Sequence, residues 1–298
     1  MSESSSAQSL SSVAPEVLPF LDRQTNTFSY VVRDPDSDSC AVIDSVLTFD
    51  YHSGTASYEG ADAIINHIAR NGLSLEWIIE THAHADHLSA AQYLKNELGG
   101  KVAIGEGITR VQAHFGPLFN LGPPFAADGH QFDQLFADGD EFDLGGTRIR
   151  VMHTPGHTND SVTYLIGNAA FVGDTVFMTD YGTARCDFPG GDAGLLYDSI
   201  QKLFALPDDT VFYLCHDYPP DTRELCFSTP VTDQRATNIH VGGGRSRDDF
   251  IELRTSRDEQ LNLPALILPS IQVNIQAGHL PDAEDNGTAY VRIPIDTI

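Results

Sequence analysis

The sequence predicts an α/β protein built as a four-layer αββα sandwich with a C-terminal appendage. Three observations predict it. Short apolar strand segments and segments of helical spacing occur in two comparable sets along the chain, and residue types suited to metal binding stand directly after apolar runs in both sets. The third is size, since 298 residues with 41% apolar side chains can bury a large core. Pattern alone leaves other α/β folds open.

The first set begins with Thr27 to Val32, which alternates as a half-buried strand, and continues after an Asp/Ser turn with Ala41 to Asp44, giving an early hairpin. Ala61, Ile64, Ile65 and Ile68 repeat at helical spacing, and Trp77 to Glu80 reads as a buried strand leading into Thr81. A helix is expected from Leu88 to Leu98, stopped by Gly99-Gly100. The second set has a hairpin from Phe142 to Val151, strands at Ser161 to Ile166 and Ala169 to Val172, and a helix at Leu195 to Leu206. Beyond Tyr218 the chain turns irregular, passes Gly242-Gly243-Gly244, forms a helix from Asp248 to Glu259 and ends in a Pro-rich tail. The expected organisation is a Ser-rich tail over 1–17, a main domain over 18–235 and an appendage packed on it over 236–298.

A net charge of −25 repels phosphate backbones and anionic lipid headgroups, so no nucleic acid and no membrane partner is expected. No stretch is apolar for the length of a membrane span, and Met1 to Pro15 lacks the basic and apolar regions of an export signal. Cys40, Cys186, Cys215 and Cys226 form no CxxC pair, which reads as free thiols in a reducing, cytoplasmic setting. A homodimer is the base-rate expectation for oligomeric state.

The chemistry concentrates in Thr81-His82-Ala83-His84-Ala85-Asp86-His87, where four ligating side chains fall within six residues at the carboxyl end of an apolar strand. Isolated histidines are usually surface or satisfied core residues, but four ligating groups in one such run seldom arise by chance. Partners follow later apolar runs: His157 in His153-Thr154-Pro155-Gly156-His157, Asp174 in Gly173-Asp174-Thr175, and His216 in Cys215-His216-Asp217-Tyr218.

In that order these motifs resemble the metallo-β-lactamase superfamily, over roughly Phe28 to Tyr218. In its dinuclear members, the resemblance implies one metal at His82, His84 and His157, a second at Asp86, His87 and His216, and Asp174 as the bridge. Thr25 to Tyr30, Ala184-Arg185-Cys186-Asp187-Phe188, His216-Asp217-Tyr218, Asn262-Leu263-Pro264 and Val273 to Gly278 are similar to the persulfide dioxygenases, also called sulfur dioxygenases, and extend the match to nearly the whole chain. This second resemblance implies one Fe(2+) per chain on a facial triad of His82, His157 and Asp174, with His84, Asp86, His87 and His216 as supporting groups. Its implied reaction takes glutathione persulfide and O2 to sulfite and glutathione.

Glutathione carries carboxylates, so an acidic protein needs a local basic patch. Arg185 is the first candidate, Tyr218 is a hydroxyl donor, and His240 and Arg245 are further candidates for the glutathione arm. An Arg185 salt bridge to Asp187 and a packing role for Tyr218 are the structural alternatives. Two departures from the family pattern stand out: Ala277 replaces a cysteine found in some members, and the Asn238 to Asp248 segment has a Gly-rich insertion with a histidine where relatives can have arginine. The alternative function is a glyoxalase II-like thioester hydrolase with two Zn(2+) per chain; another is a non-catalytic metal-binding protein, against which all seven ligand positions argue by being intact.

Overall fold

A computed structural model of the protein describes residues 14–122 and 125–296. The first half runs β1 (Glu16–Asp22), β2 (Thr27–Arg33), β3 (Ser39–Ile43), β4 (Val46–Asp50), β5 (Thr55–Ser57), α1 (Glu59–Arg70), β6 (Ser74–Ile79), β7 (Leu88–Ser89), α2 (Ala91–Leu98), β8 (Lys101–Gly105), α3 (Ile108–Leu118) and β9 (Gln134–Phe136). The second runs β10 (Glu141–Leu144), β11 (Thr147–His153), β12 (Val162–Ile166), β13 (Ala169–Phe171), α4 (Ala193–Phe204), β14 (Val211–Tyr213), β15 (Ser228–Pro230), α5 (Val231–Thr237), α6 (Arg247–Asp258) and α7 (Ile267–Asn274).

Two six-stranded sheets form the centre, in the orders β1-β2-β3-β6-β8-β9 and β10-β11-β12-β13-β14-β15. The pleat explains the layering. In β2, Phe28, Tyr30 and Val32 point into the layer between the sheets with Ile79, Ile149, Val151, Tyr164 and Phe171, whereas Val31 points outward to Ile64, Leu94 and Phe115 of the helices. On the far face of the second sheet, Leu165, Ala170 and Phe212 pack against Leu196, Ile200 and Leu203 of α4 and Phe250 of α6. The four-layer αββα arrangement expected from the sequence is present. At one end the sheets are joined by backbone bonds, Val162 N–H to Thr81 O at 2.9 Å and Phe28 N–H to Cys215 O at 2.7 Å.

Three elements differ from the sequence expectation. Leu88 and Ser89 form the short strand β7 against β4, and α2 starts at Ala91. Strand β1 begins at Glu16, inside the span read as Ser-rich tail; residues 1–13 of that tail lie outside the described residues. The Pro-rich end contains helix α7, which is buried along most of its length because Ile267, Ile271 and Val273 join the core cluster of the first sheet. No helix among the described residues is long and apolar enough to cross a membrane.

Candidate metal centre

Strand β6 ends at Ile79, and the loop that follows is held in shape by a carboxylate that the sequence reading gave no role. Asp44, at the end of β3, adopts a left-handed φ of 52° and is 2% exposed. Its Oδ1 accepts the Thr81 N–H at 2.7 Å and its Oδ2 the Thr81 hydroxyl at 2.9 Å. Asp160 accepts the Ala83 N–H at 2.7 Å, and the Asn274 amide donates to the carbonyls of His84 and His87 at 2.7 and 2.8 Å. Gly173 is required beside this loop: it sits at φ 50°, and a Cβ there would lie 2.5 Å from the Thr81 hydroxyl.

With the loop fixed, each histidine spends its outer nitrogen on a protein acceptor. His157 Nδ1 donates to the Arg185 carbonyl at 2.6 Å, and His87 Nδ1 to the Leu88 carbonyl at 3.2 Å. His82 Nδ1 meets the Thr81 hydroxyl at 3.0 Å; since that hydroxyl donates to Asp44, it accepts here. His216 Nδ1 donates to the Asn26 carbonyl at 3.2 Å, and His84 Nε2 to Asp44 at 3.1 Å. In each neutral ring the inner nitrogen therefore carries the lone pair. His82 Nε2, His84 Nδ1, His87 Nε2, His216 Nε2 and Asp174 Oδ1 are buried without a hydrogen-bond partner, an arrangement that costs free energy unless a cation fills it.

Ligand atoms of His82, His157 and Asp174 lie within 4.8 Å of one another. His157 Nε2 is 3.7 Å from Asp174 Oδ2; His216 Nε2 is 3.4 Å from Asp174 Oδ1 and 3.2 Å from Asp86 Oδ2. His84 is not one of those three, and its outer Nε2 also approaches Glu80 at 3.4 Å. Burial, reinforced by the neighbouring imidazoles, holds His82 well below the usual histidine range and pushes His87 down to about 4, so both rings are neutral and ready to ligate at neutral pH. Burial also pulls on His84 and His216, but the carboxylates of Asp44 and Asp174 outweigh it and raise both.

A cavity of about 240 Å³ opens on this cluster, lined by Asp86, His157 and Asp174 and also by Phe177, Phe188, Arg185, Tyr218, His240, Arg254 and Arg257. Of the residues expected to bind substrate, three line it. Arg185 is fastened in the way of the structural alternative, by two bonds to Asp187 at 2.6 and 2.7 Å and one to the Asn262 carbonyl, with its guanidinium 5.0 Å from the Phe188 ring centroid. Tyr218 stacks on His216 at 5.8 Å between ring centroids and tilts against Tyr181. His240 Nδ1 accepts the Thr183 N–H at 3.0 Å, so its Nε2 carries the proton, and that atom is buried without a partner. Arg245 is not among the cavity residues; it lines a separate surface recess with Asp249 and Glu252 and donates to the Ile239 carbonyl.

Groups that the sequence reading gave no part in the site are Asp44, Glu80, Asp160, Cys215, Arg254, Arg257 and the side chain of Asn274. Arg254 and Arg257 sit a helical turn apart on α6, a spacing visible in the sequence but silent about which way the helix faces. Asp217, in contrast, anchors the loop after β14: it is fully buried, pairs with Arg223 at 2.7 Å and accepts the Cys226 N–H.

A four-layer sandwich with inward imidazoles and a carboxylate at one end of its paired sheets defines a class of proteins that bind divalent cations. The chain belongs to the metallo-beta-lactamase superfamily, whose sequence model matches residues 22–216. It is 52% identical to a probable metallo-hydrolase of Burkholderia pseudomallei (strain 1710b), covering 94% of this chain and 98% of that one, and 48% identical to glyoxylase B2 of Dictyostelium discoideum, covering 94% and 96%. It is 31% identical to the mitochondrial persulfide dioxygenase ETHE1 of Homo sapiens, covering 80% and 78%. The crystal structure of ETHE1 from Myxococcus xanthus superposes with a TM-score of 0.70 at 29% identity, covering 90% of this chain and all of that one.

Proposed function

We propose that the protein is an iron(II)-dependent persulfide dioxygenase acting on glutathione persulfide. The observation that carries the reading is the convergence of His82, His157 and Asp174, a set that His84, with its outer Nε2 on Asp44, does not join to the same spacing. Two imidazoles and a carboxylate would hold an iron(II) ion while leaving it open to a thiolate and dioxygen together. The likeness to human persulfide dioxygenase over most of both chains supports the same assignment.

The reaction balances as one persulfide, one dioxygen and one water giving one thiol, one sulfite and two protons; the outer sulfur is oxidised and dioxygen is reduced. Iron(II), when bound, supplies the redox chemistry that lets dioxygen react with sulfur at ordinary temperature. The protein's part is orientation and exclusion of water. The Arg185 carbonyl fixes the ring of His157, and Phe177, Phe188, Leu261 and Pro264 wall the cavity. His240, a cavity residue, keeps a neutral Nε2–H without a protein partner, and the exposed Arg257 brings positive charge to the cavity against a background of −25, whereas Arg254 is buried and paired with Asp258 at 2.7 Å.

An oxygen electrode tests this directly. With protein reconstituted anaerobically with ferrous iron, glutathione persulfide is expected to drive oxygen uptake matched by sulfite release. Hydrolysis of S-lactoylglutathione by the zinc-loaded protein, without any oxygen uptake on persulfide, would overturn it in favour of the thioester hydrolase. That second reading is favoured by the proximity of Asp86 Oδ2 to His216 Nε2 beside Asp174, and by the likeness to glyoxylase B2.

A further inference from the structure

The β4–β5 hairpin has a fixed place beside the metal centre, because Val46 and Leu47 of β4 pair antiparallel with Ser89 and Leu88 of β7, and β7 follows His87 directly. At the hairpin's tip, Asp50 Oδ1 accepts the N–H groups of His52 and Ser53 at 2.8 and 2.9 Å and so folds the turn. A recess of about 510 Å³ is lined by Asp50, Tyr51 and His52 of this tip and by Asn262 from the segment after α6. It meets the cavity already described, since Asp86, Tyr218 and Pro264 line both. The two hollows differ in charge. The first is lined by Arg185, Arg254 and Arg257, whereas among the described residues the recess is lined by no Arg or Lys and carries the Asp50 carboxylate at its edge.

Resting on the reading that the substrate is built on glutathione, we propose that this recess holds its γ-glutamyl end, with the Asp50 carboxylate against the α-ammonium, while the glycine carboxylate lies toward Arg257 in the first cavity. Shape, size and charge support it. In glutathione the sulfur belongs to the middle residue, so a sulfur directed at the metal centre sends two arms apart, and two hollows meet at Asp86 to receive them. The first cavity, at about 240 Å³, falls below the roughly 300–1,000 Å³ of pockets that enclose a ligand of this size, so the tripeptide needs the recess as well. The glycine end is a bare carboxylate and suits a guanidinium. The γ-glutamyl end is a zwitterion, which suits one carboxylate beside neutral donors such as the Tyr51 hydroxyl and the Asn262 amide. The assignment serves the persulfide and the thioester of the second reading alike, since both carry the same tripeptide.

Calorimetry on the iron(II)-loaded full-length protein, kept without oxygen, tests this with glutathione and with glutaryl-cysteinyl-glycine, which lacks only the α-amino group. Asp50→Asn keeps the oxygen that folds the turn and removes the charge. The unaltered protein is expected to bind glutathione about two- to fivefold more tightly than the analogue, the range of an exposed ion pair, and Asp50→Asn to bind the two alike. Arg257→Gln is expected to weaken both ligands and leave their ratio unchanged. Equal binding of the two ligands by the unaltered protein, or a preference that survives in Asp50→Asn, would overturn this assignment alone. Failure of either ligand to bind any of the proteins would overturn the glutathione reading, and the assignment with it.

Discussion

The side-chain amide of Asn274 donates to the carbonyl of His87 at 2.8 Å across 187 positions of chain, and the same amide group also donates to His84 O while its oxygen accepts the Ser89 N–H. All of this is buried, with Asn274 4% exposed. The last helix therefore fastens the loop that carries most of the candidate ligands.

Asn274→Ala strands two carbonyls and an N–H in the interior, so the protein is expected to lose about 2–4 kcal/mol of stability. Urea denaturation of the metal-free protein measures it. A loss below about 0.5 kcal/mol would show that water replaces the amide without cost.

Asp174→Ala removes the only carboxylate of the proposed triad, and tight binding of ferrous iron is expected to disappear while the fold persists. Iron content after anaerobic desalting, set beside the far-ultraviolet circular dichroism, reads both. Full iron retention with an intact fold would remove Asp174 from the ligand set.

Burial, aided by Arg254, Arg257 and Arg245, pushes His240 down to about 3 from 6.5. The unfolded chain binds this proton near pH 6.5 and the folded one does not, so the stability it contributes is complete above that pH and is lost as the pH falls toward 3. His240→Gln is expected to flatten the thermal midpoint over that window and, by replacing the unpartnered donor of a cavity residue, to raise KM for the persulfide about tenfold, the cost of one hydrogen bond. An unchanged slope would relocate the acid sensitivity elsewhere.

Cys40, Cys186 and Cys215 are buried, and burial pushes the Cys40 thiol up to about 12, whereas Cys226 is half-buried. Under native conditions an alkylating reagent is expected to modify about one thiol rapidly, identified by peptide mapping as Cys226, and the other three only on unfolding. Rapid native labelling of Cys186 would show that the segment carrying Arg185 opens readily.

The layer order and the clustering of the ligating side chain types were legible because both rest on short-range patterns. Alternation in Thr27 to Val32 and the strand-to-histidine junctions at Ile79 and Leu214 are local signals, and the structure places them as the pattern implies. What was not legible depends on direction in space. Asp44 reads as an ordinary turn aspartate until β3 and β6 pair side by side and set it against Thr81. Likewise α7 was hidden by its prolines, since Pro264 precedes it and Pro269 falls at its third residue, where a missing N–H costs little. Arg245 lies in the irregular segment before α6, whose course the sequence does not set, and there it lines a recess apart from the cavity.

His82 follows a strand of the first sheet, whereas His157 and Asp174 follow strands of the second. A cation held by all three is thus a rivet through two half-sandwiches, and parting the halves scatters its donors. Free metal concentration then acts as a thermodynamic handle on the whole molecule: it draws the population toward the closed sandwich, and chelation loosens the seam far from any bound substrate.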